Sequence, residues 1–248
     1  MPPTIILITG ANRGLGLGLV GRYLALPDHT VIATVRNPLH PTSVALLSLP
    51  SGTDSTLIVL RLDVSVEQDS FNAVRELGQK HAIDHLDIVI ANAGISAIWP
   101  TVADLKLDDL KAHVEPNVYG VVSLYQATLP LLKKSTREPK FLPMGSSAGF
   151  ITNQLPIPNA AYGPSKAMLH WLTVRINAEE DWLNAYVLSP GWVQTELGNA
   201  GAVFFGLEQA HVTVEDSCNG MVEIIAKSTK KDHGGKMVSY DGSIESTW

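Results

Sequence analysis

Cysteine is almost missing from this chain. Cys218 is the one thiol in 248 residues, so no internal disulfide can form, and an unpartnered thiol fits a reducing compartment. Charge is sparse as well, at 17% of residues, and the net charge of -6 is spread over both signs. That leaves no basic stripe of the kind that binds nucleic acid or an anionic membrane. The pairs Lys133-Lys134 and Lys230-Lys231 read as solvated surface. No apolar run is long enough to span a bilayer; the first, Ile5 to Thr9, is short and has no basic flank, which argues against a secretory leader and for a soluble cytoplasmic protein. Internal repeats, low-complexity tracts and domain linkers are missing. His113, His170 and His211 have no metal-ligand spacing among them, so no metal site is expected. What remains is 45% hydrophobic, enough for a core, and the length suits one domain over residues 1–248.

The chain opens with Thr4 to Thr9, T-I-I-L-I-T, which reads as a strand buried on both faces, the pattern of a parallel sheet. G-A-N-R-G-L-G follows at once and leads into a helix. Glycines at such a turn let the backbone approach a pyrophosphate, and the helix start presents free N–H groups to it. Gly10, Asn12, Arg13, Gly14, Leu15 and Gly16 are therefore candidate dinucleotide contacts, with a plain tight turn as the alternative. A second strand, Thr30 to Val35, ends in Arg36 with no acid beside it. An acid there suits a free ribose 2'-hydroxyl and an arginine suits a 2'-phosphate, so Arg36 and Arg13 together favour NADP(H) over NAD, unless both are surface residues. Leu57 to Leu62 is a third strand, and Asp63-Val64 at its end would reach an adenine, or Asp63 would cap the next helix. Ser70 to His81 reads as an amphipathic helix and Asp87 to Ala91 as a fourth buried strand. This alternation is an α/β chain with a Rossmann-type, doubly wound parallel sheet and helices on both faces.

Farther along stands N-A-A-Y-G-P-S-K. A helix beginning near Ala161 places Pro164 in its first turn, where a missing N–H costs little, and puts Tyr162 and Lys166 on one face. A phenol exchanges protons poorly at neutral pH until a fixed positive charge stabilises its phenolate, and a lysine one turn away supplies it. An exposed helix start with an incidental lysine is the plain alternative for two residues alone.

Five motifs in register resemble the short-chain dehydrogenases/reductases: Thr9-Gly10-x-x-x-Gly14-x-Gly16, Asn92-Ala93-Gly94, a serine after the fifth strand, Tyr162-x-x-x-Lys166, and Pro190-Gly191 with Thr195. They span nearly the whole chain. The resemblance implies that Asn92, Ala93 and Gly94 flank the adenine ribose, that Tyr162 is the proton donor, and that Lys166 lowers its pKa while holding the nicotinamide ribose. It places the carbonyl-binding serine at Ser146, with Ser147 second, and Asn117 in a proton relay. Pro190, Gly191, Val193 and Thr195 would close over the cofactor. A small carbonyl or alcohol substrate and a homodimer or tetramer are implied too.

Three positions depart from that pattern: Pro116 inside a helix, Pro143 inside an interior strand, and Gly145 where the family often has serine. Prolines there delete backbone hydrogen bonds and bend the element. They keep a second reading open, a catalytically weak NADP-binding sensor or partner-binding subunit. G-N-A-G-A-V-F-F-G-L reads either as a lid with Phe204 and Phe205 over a hydrophobic substrate or as a helix burying both in the core. The short tail ending in Trp248, with A-T-V-R-N and P-N-A-A-Y-G-P-S-K, looks most like the branch holding carbonyl reductases and fungal polyketide ketoreductases of the norsolorinic acid ketoreductase type, which implies an NADPH-dependent reduction of a bulky, aromatic or polyketide-derived ketone.

Overall fold

Strands β1 (Thr4–Thr9), β2 (His29–Val35), β3 (Thr56–Arg61), β4 (Ile88–Ala91), β5 (Lys140–Pro143) and β6 (Asn184–Ala185) form a parallel sheet in the order β3-β2-β1-β4-β5-β6. The computed structural model describes residues 2–248. Strand order reverses between β1 and β4, and the crevice beyond the carboxyl ends of these strands is where an open α/β sheet takes its ligand. Alternate residues of β1 enter opposite cores: Ile6 and Ile8 pack on one face, Ile5 and Leu7 on the other. A strand covered on both sides must be apolar at every position, and that is why β1 is a continuous hydrophobic run.

Helices α1 (Gly14–Ala25) and α8 (Val214–Lys227) cover one face through Leu19, Val20, Tyr23, Met221 and Ile225. The other face is covered by α3 (Glu67–His81), α5 (Gly120–Leu132) and α6 (Tyr162–Glu179), through Ala73, Leu77, Leu124, Leu169 and Ile176. The stretch after β2 holds the short α2 (Pro41–Val44), and α4 (Leu107–Val114) precedes α5. Among the described residues no helix is long and apolar enough to cross a membrane.

Both prolines that break the family pattern are absorbed. Pro116 lies in a π turn, Glu115–Tyr119, that joins α4 to α5 in place of a sharp kink. The wider turn carries the chain past the residue that cannot donate, with Gly120 N–H bonding Glu115 O. Pro143 ends β5 opposite Ala91. Two residues later Gly145 N–H donates to Leu188 O at 2.8 Å, so by the parallel-ladder period the donor lost at Pro143 is the one facing Tyr186 O. β6 stops before that residue and the chain resumes as β7 (Val187–Ser189), which pairs in parallel with β8 (Met237–Ser239).

Candidate active site

The glycine turn is held from below by asparagine. Gly10 and Gly14 adopt φ of 64° and 52°, a left-handed backbone that suits glycine. Asn92 Nδ2 donates to Thr9 O at 2.8 Å and Gly10 O at 3.3 Å, and Ala93 N–H donates to Thr9 Oγ1 at 2.9 Å. A Cβ at Gly16 would run into Gly10 O. The entry to α1 has no side-chain cap at Arg13 and no acid in its first turn, so the first amides of the helix are left for an external anion. That donor set fits a diphosphate. Asn12 is turned aside, donating to Thr42 Oγ1 at 2.6 Å, and Leu15 packs against the core.

The two arginines differ. Arg36 is exposed at the end of β2 and makes no hydrogen bond or ion pair among the described residues. Arg13 Nη1 instead meets Glu196 at 2.6 Å, bridging the glycine turn to the first turn of α7 (Glu196–Phe204). Asp63 does not cap α3, whose N-cap is Val66; its carboxylate accepts Ser65 N–H at 3.0 Å. Neighbouring Val64 packs against the α3–α5 core.

Tyr162 opens α6 after the N-cap Ala161, with Pro164 in the first turn. Lys166, buried one turn on, donates its Nζ to Met144 O at 2.8 Å and lies 5.5 Å from the Tyr162 ring centroid. Ser146 lies close enough to the Tyr162 phenol to favour its charged form. Ser146 Oγ also accepts Ala148 N–H at 3.2 Å, which leaves its own proton free to donate. Ser147 is exposed and starts a short 3-10 turn, so the geometry separates the two serines. Asn117 reaches the same centre indirectly. Its carboxamide accepts Ile95 N–H at 2.8 Å and donates to Ile95 O and to Ser165 Oγ at 2.9 and 3.0 Å, and Ser165 Oγ donates to Tyr162 O.

Burial governs the protonation of this pair. It pushes the Tyr162 phenol up to about 12, with the Ser146 hydrogen bond opposing, and pushes the Lys166 ammonium down to about 8. In the protein alone, desolvation sets the direction of the Tyr162 shift, and Lys166 is not among its causes. Because the unfolded chain keeps the lysine proton to about 10.5, the buried ammonium opposes folding at neutral pH, and that opposition fades as pH rises from 8 toward 10.5.

Across the crevice, Pro190 O accepts the Ser217 hydroxyl and Gly191 turns with φ of 77°. Val193 is buried and bridges to Val212. Thr195 caps α7, accepting Gly198 N–H at 3.0 Å, and a Cβ on Gly14 would stand 3.3 Å from its methyl. The glycine turn and the Thr195 turn are thus neighbours. Phe204 is 57% exposed at the end of α7. It packs on Trp99 with ring centroids 5.0 Å apart, with Phe205 5.9 Å from Trp99 and 6.5 Å from Trp192, so Phe204 is not buried in the core.

A family model for short chain dehydrogenases matches residues 4–202. The chain belongs to the short-chain dehydrogenase/reductase family. It is an oxidoreductase of that family. It is 39% identical over 249 residues to norsolorinic acid ketoreductase nor1 of Dothistroma septosporum, covering 99% of this chain and 92% of that one. The norsolorinic acid ketoreductase of Aspergillus parasiticus is 35% identical, with 100% and 93% covered. Among solved structures, an NADPH-bound carbonyl reductase from chicken fatty liver superposes at a TM-score of 0.87 with 30% identity over the whole of both chains. Carbonyl reductase Sniffer of D. melanogaster gives 0.85 and 26%, covering 99% and 100%.

Sequence reasoning on this reductase missed Trp99, Trp192 and Glu196, because aromatic and ion-pair partners from separate loops leave no spacing in the chain. His170 shows no metal-ligand spacing in the sequence, although its place four residues after Lys166 puts it on the same helix face. Replacing Tyr162 by Phe should leave NADPH binding within a few-fold of the parent and lower kcat by about 100- to 10,000-fold, the usual contribution of a positioned proton donor. Half the parent kcat in that variant would remove Tyr162 from the chemistry.

Proposed function

We propose that the protein is an NADPH-dependent ketoreductase acting on a bulky, hydrophobic ketone of aromatic or polyketide origin. The observation that carries this reading is the meeting of Tyr162, Ser146 and Lys166 at the ends of β4 and β5, beside the uncapped start of α1. Similarity to ketoreductases and to an NADPH-bound carbonyl reductase supports it.

A bound nicotinamide supplies the hydride, and the chain does the rest. Ser146, its oxygen already holding Ala148 N–H, donates its single proton to the carbonyl oxygen that gains charge as reduction proceeds; such a preorganised donor is worth about 3 kcal/mol. Tyr162 delivers the proton that completes the alcohol. Lys166, fixed on Met144 O, steadies the phenolate left behind and is placed to hold the cofactor ribose. Asn117 fixes the loop after β4 against α6. Run backward, the same groups oxidise an alcohol. The residues proposed around the cofactor are the glycine turn, Arg36, Asp63-Val64, Asn92 to Gly94, and Pro190 to Thr195.

The aromatic patch of Trp99, Phe204 and Phe205 supports a large apolar substrate, since stacked rings are suited to planar apolar groups. A cytoplasmic location and a homodimer or tetramer belong to the same reading. Exposed Met168, Trp171 and Val174 along one face of α6 support the assembly, and light scattering showing one chain mass would remove it.

The testing experiment is NADPH oxidation with a panel of ketones. Turnover should favour large aromatic ketones over small aliphatic ones, and Trp99→Ala should raise KM for the large ones selectively. Equal effects on both would take the patch out of the substrate site, and binding without any turnover would favour a sensor. For the cofactor, Arg36 is the free cation at the end of β2, and a charge-assisted contact is worth about 1.5 to 3 kcal/mol. Arg36→Ala should weaken NADPH binding by roughly 10- to 100-fold, less so at high salt, and leave NADH nearly unchanged. A parent protein that binds NADH as tightly as NADPH would overturn the preference.

A further inference from the structure

His170 lies on α6 behind the candidate serine, and only 2% of it is exposed. Its Nε2 faces the backbone N–H of Ser146 at 3.3 Å. A ring nitrogen accepts a hydrogen bond only when it carries no proton, so the proton of a neutral imidazole must then sit on Nδ1. Nδ1 is buried and has no partner among the described residues. An orphaned buried donor is a standing cost, and a leucine would fill a similar volume without it. The surroundings are nevertheless shaped around the ring. A Cβ at Gly145 would stand 3.1 Å from Nε2 and collide with Val187, one at Gly149 would stand 2.8 Å from Cε1, and Trp248 packs edge-on with ring centroids 5.5 Å apart. Glycine at position 145, the departure from the family pattern, is what leaves room for the imidazole beside Ser146.

We propose that His170 is a positioning residue: as a neutral imidazole protonated on Nδ1 it accepts the Ser146 N–H and so sets where the Ser146 hydroxyl stands against the substrate carbonyl. Ser146 is then anchored twice, through its N–H by His170 and through its Oγ by Ala148 N–H. Burial first, and the charge of Lys166 second, push the imidazole down to about 3, which keeps it neutral. The inference rests on the reading of Ser146 as the carbonyl-binding serine.

The test compares His170→Leu, His170→Gln and Ser146→Ala in the full chain, using the best ketone of the panel. Ser146→Ala should lower kcat by about 100-fold or more. His170→Leu should lower kcat by roughly tenfold with NADPH affinity unchanged, the cost of a carbonyl-binding hydroxyl held slightly out of place. His170→Gln, whose side-chain oxygen can take the same N–H, should recover most of that. Equal losses in the Leu and Gln variants, or none in Leu, would overturn the positioning role. An active Ser146→Ala would instead overturn the reading of the serine. Nitrogen-15 NMR of the histidine rings in the parent protein at pH 7 tests the geometry without any variant, and so holds even if His170→Leu does not fold. A ring protonated on Nδ1 alone is expected for His170, and one protonated on Nε2 would contradict the proposal.

Discussion

A buried lysine is the constraint on which the site depends. Lys166 is 6% exposed, and an ammonium removed from water needs acceptors fixed around it. The protein provides Met144 O, at the point where β5 has just ended. The backbone of β5 must therefore stop in register with the second turn of α6, and the loop after β4 must pass close by. A Cβ at Gly94 would stand 2.8 Å from Asn117 Oδ1 and 3.9 Å from Lys166 Nζ. An ammonium whose protonation opposes folding at neutral pH does not add to stability, and the proposed function gives it a use one helical turn from a phenol.

Two asparagines then carry this local order across the sheet. Asn92 ties the end of β4 to the glycine turn after β1, and Asn117 ties the loop after β4 to α6. Between them, the uncapped start of α1 and the Tyr162–Lys166 pair are referred to the same strand ends. Small shifts at the strand-order reversal would move both together, which suits a site where a hydride donor and a proton donor must meet one carbonyl. On the far wall, the Arg13–Glu196 pair joins the glycine turn to α7. Both partners are largely exposed, so this ion pair contributes little stability, and its interest lies in the two elements it connects.

The sheet and its order of elements were legible because double burial forces runs such as T-I-I-L-I-T and D-I-V-I-A, and because Tyr162 and Lys166 share a face by helical spacing alone. The family resemblance already ranks Ser146 above Ser147, and in three dimensions the two also differ in exposure. The prolines read as disruptions in the chain, yet Pro116 sits in the π turn between α4 and α5 and Pro143 at the end of β5, so each falls where one element gives way to the next, which local pattern does not reveal. Trp99 and Phe204 are more than one hundred positions apart, and nothing in either segment announces the other. The pairing of Arg13 with Glu196 was likewise hidden, although the charge of Arg13 was plain.

Hydride transfer at this crevice is the step that most directly tests the proposed function. NADPH carrying deuterium on the transferred face of C4 should be incubated with a large aromatic ketone, and the alcohol analysed by mass spectrometry. One deuterium on the carbinol carbon is the predicted result. An alcohol without deuterium from either face of the cofactor, or tight NADPH binding with no alcohol from any ketone, would contradict it.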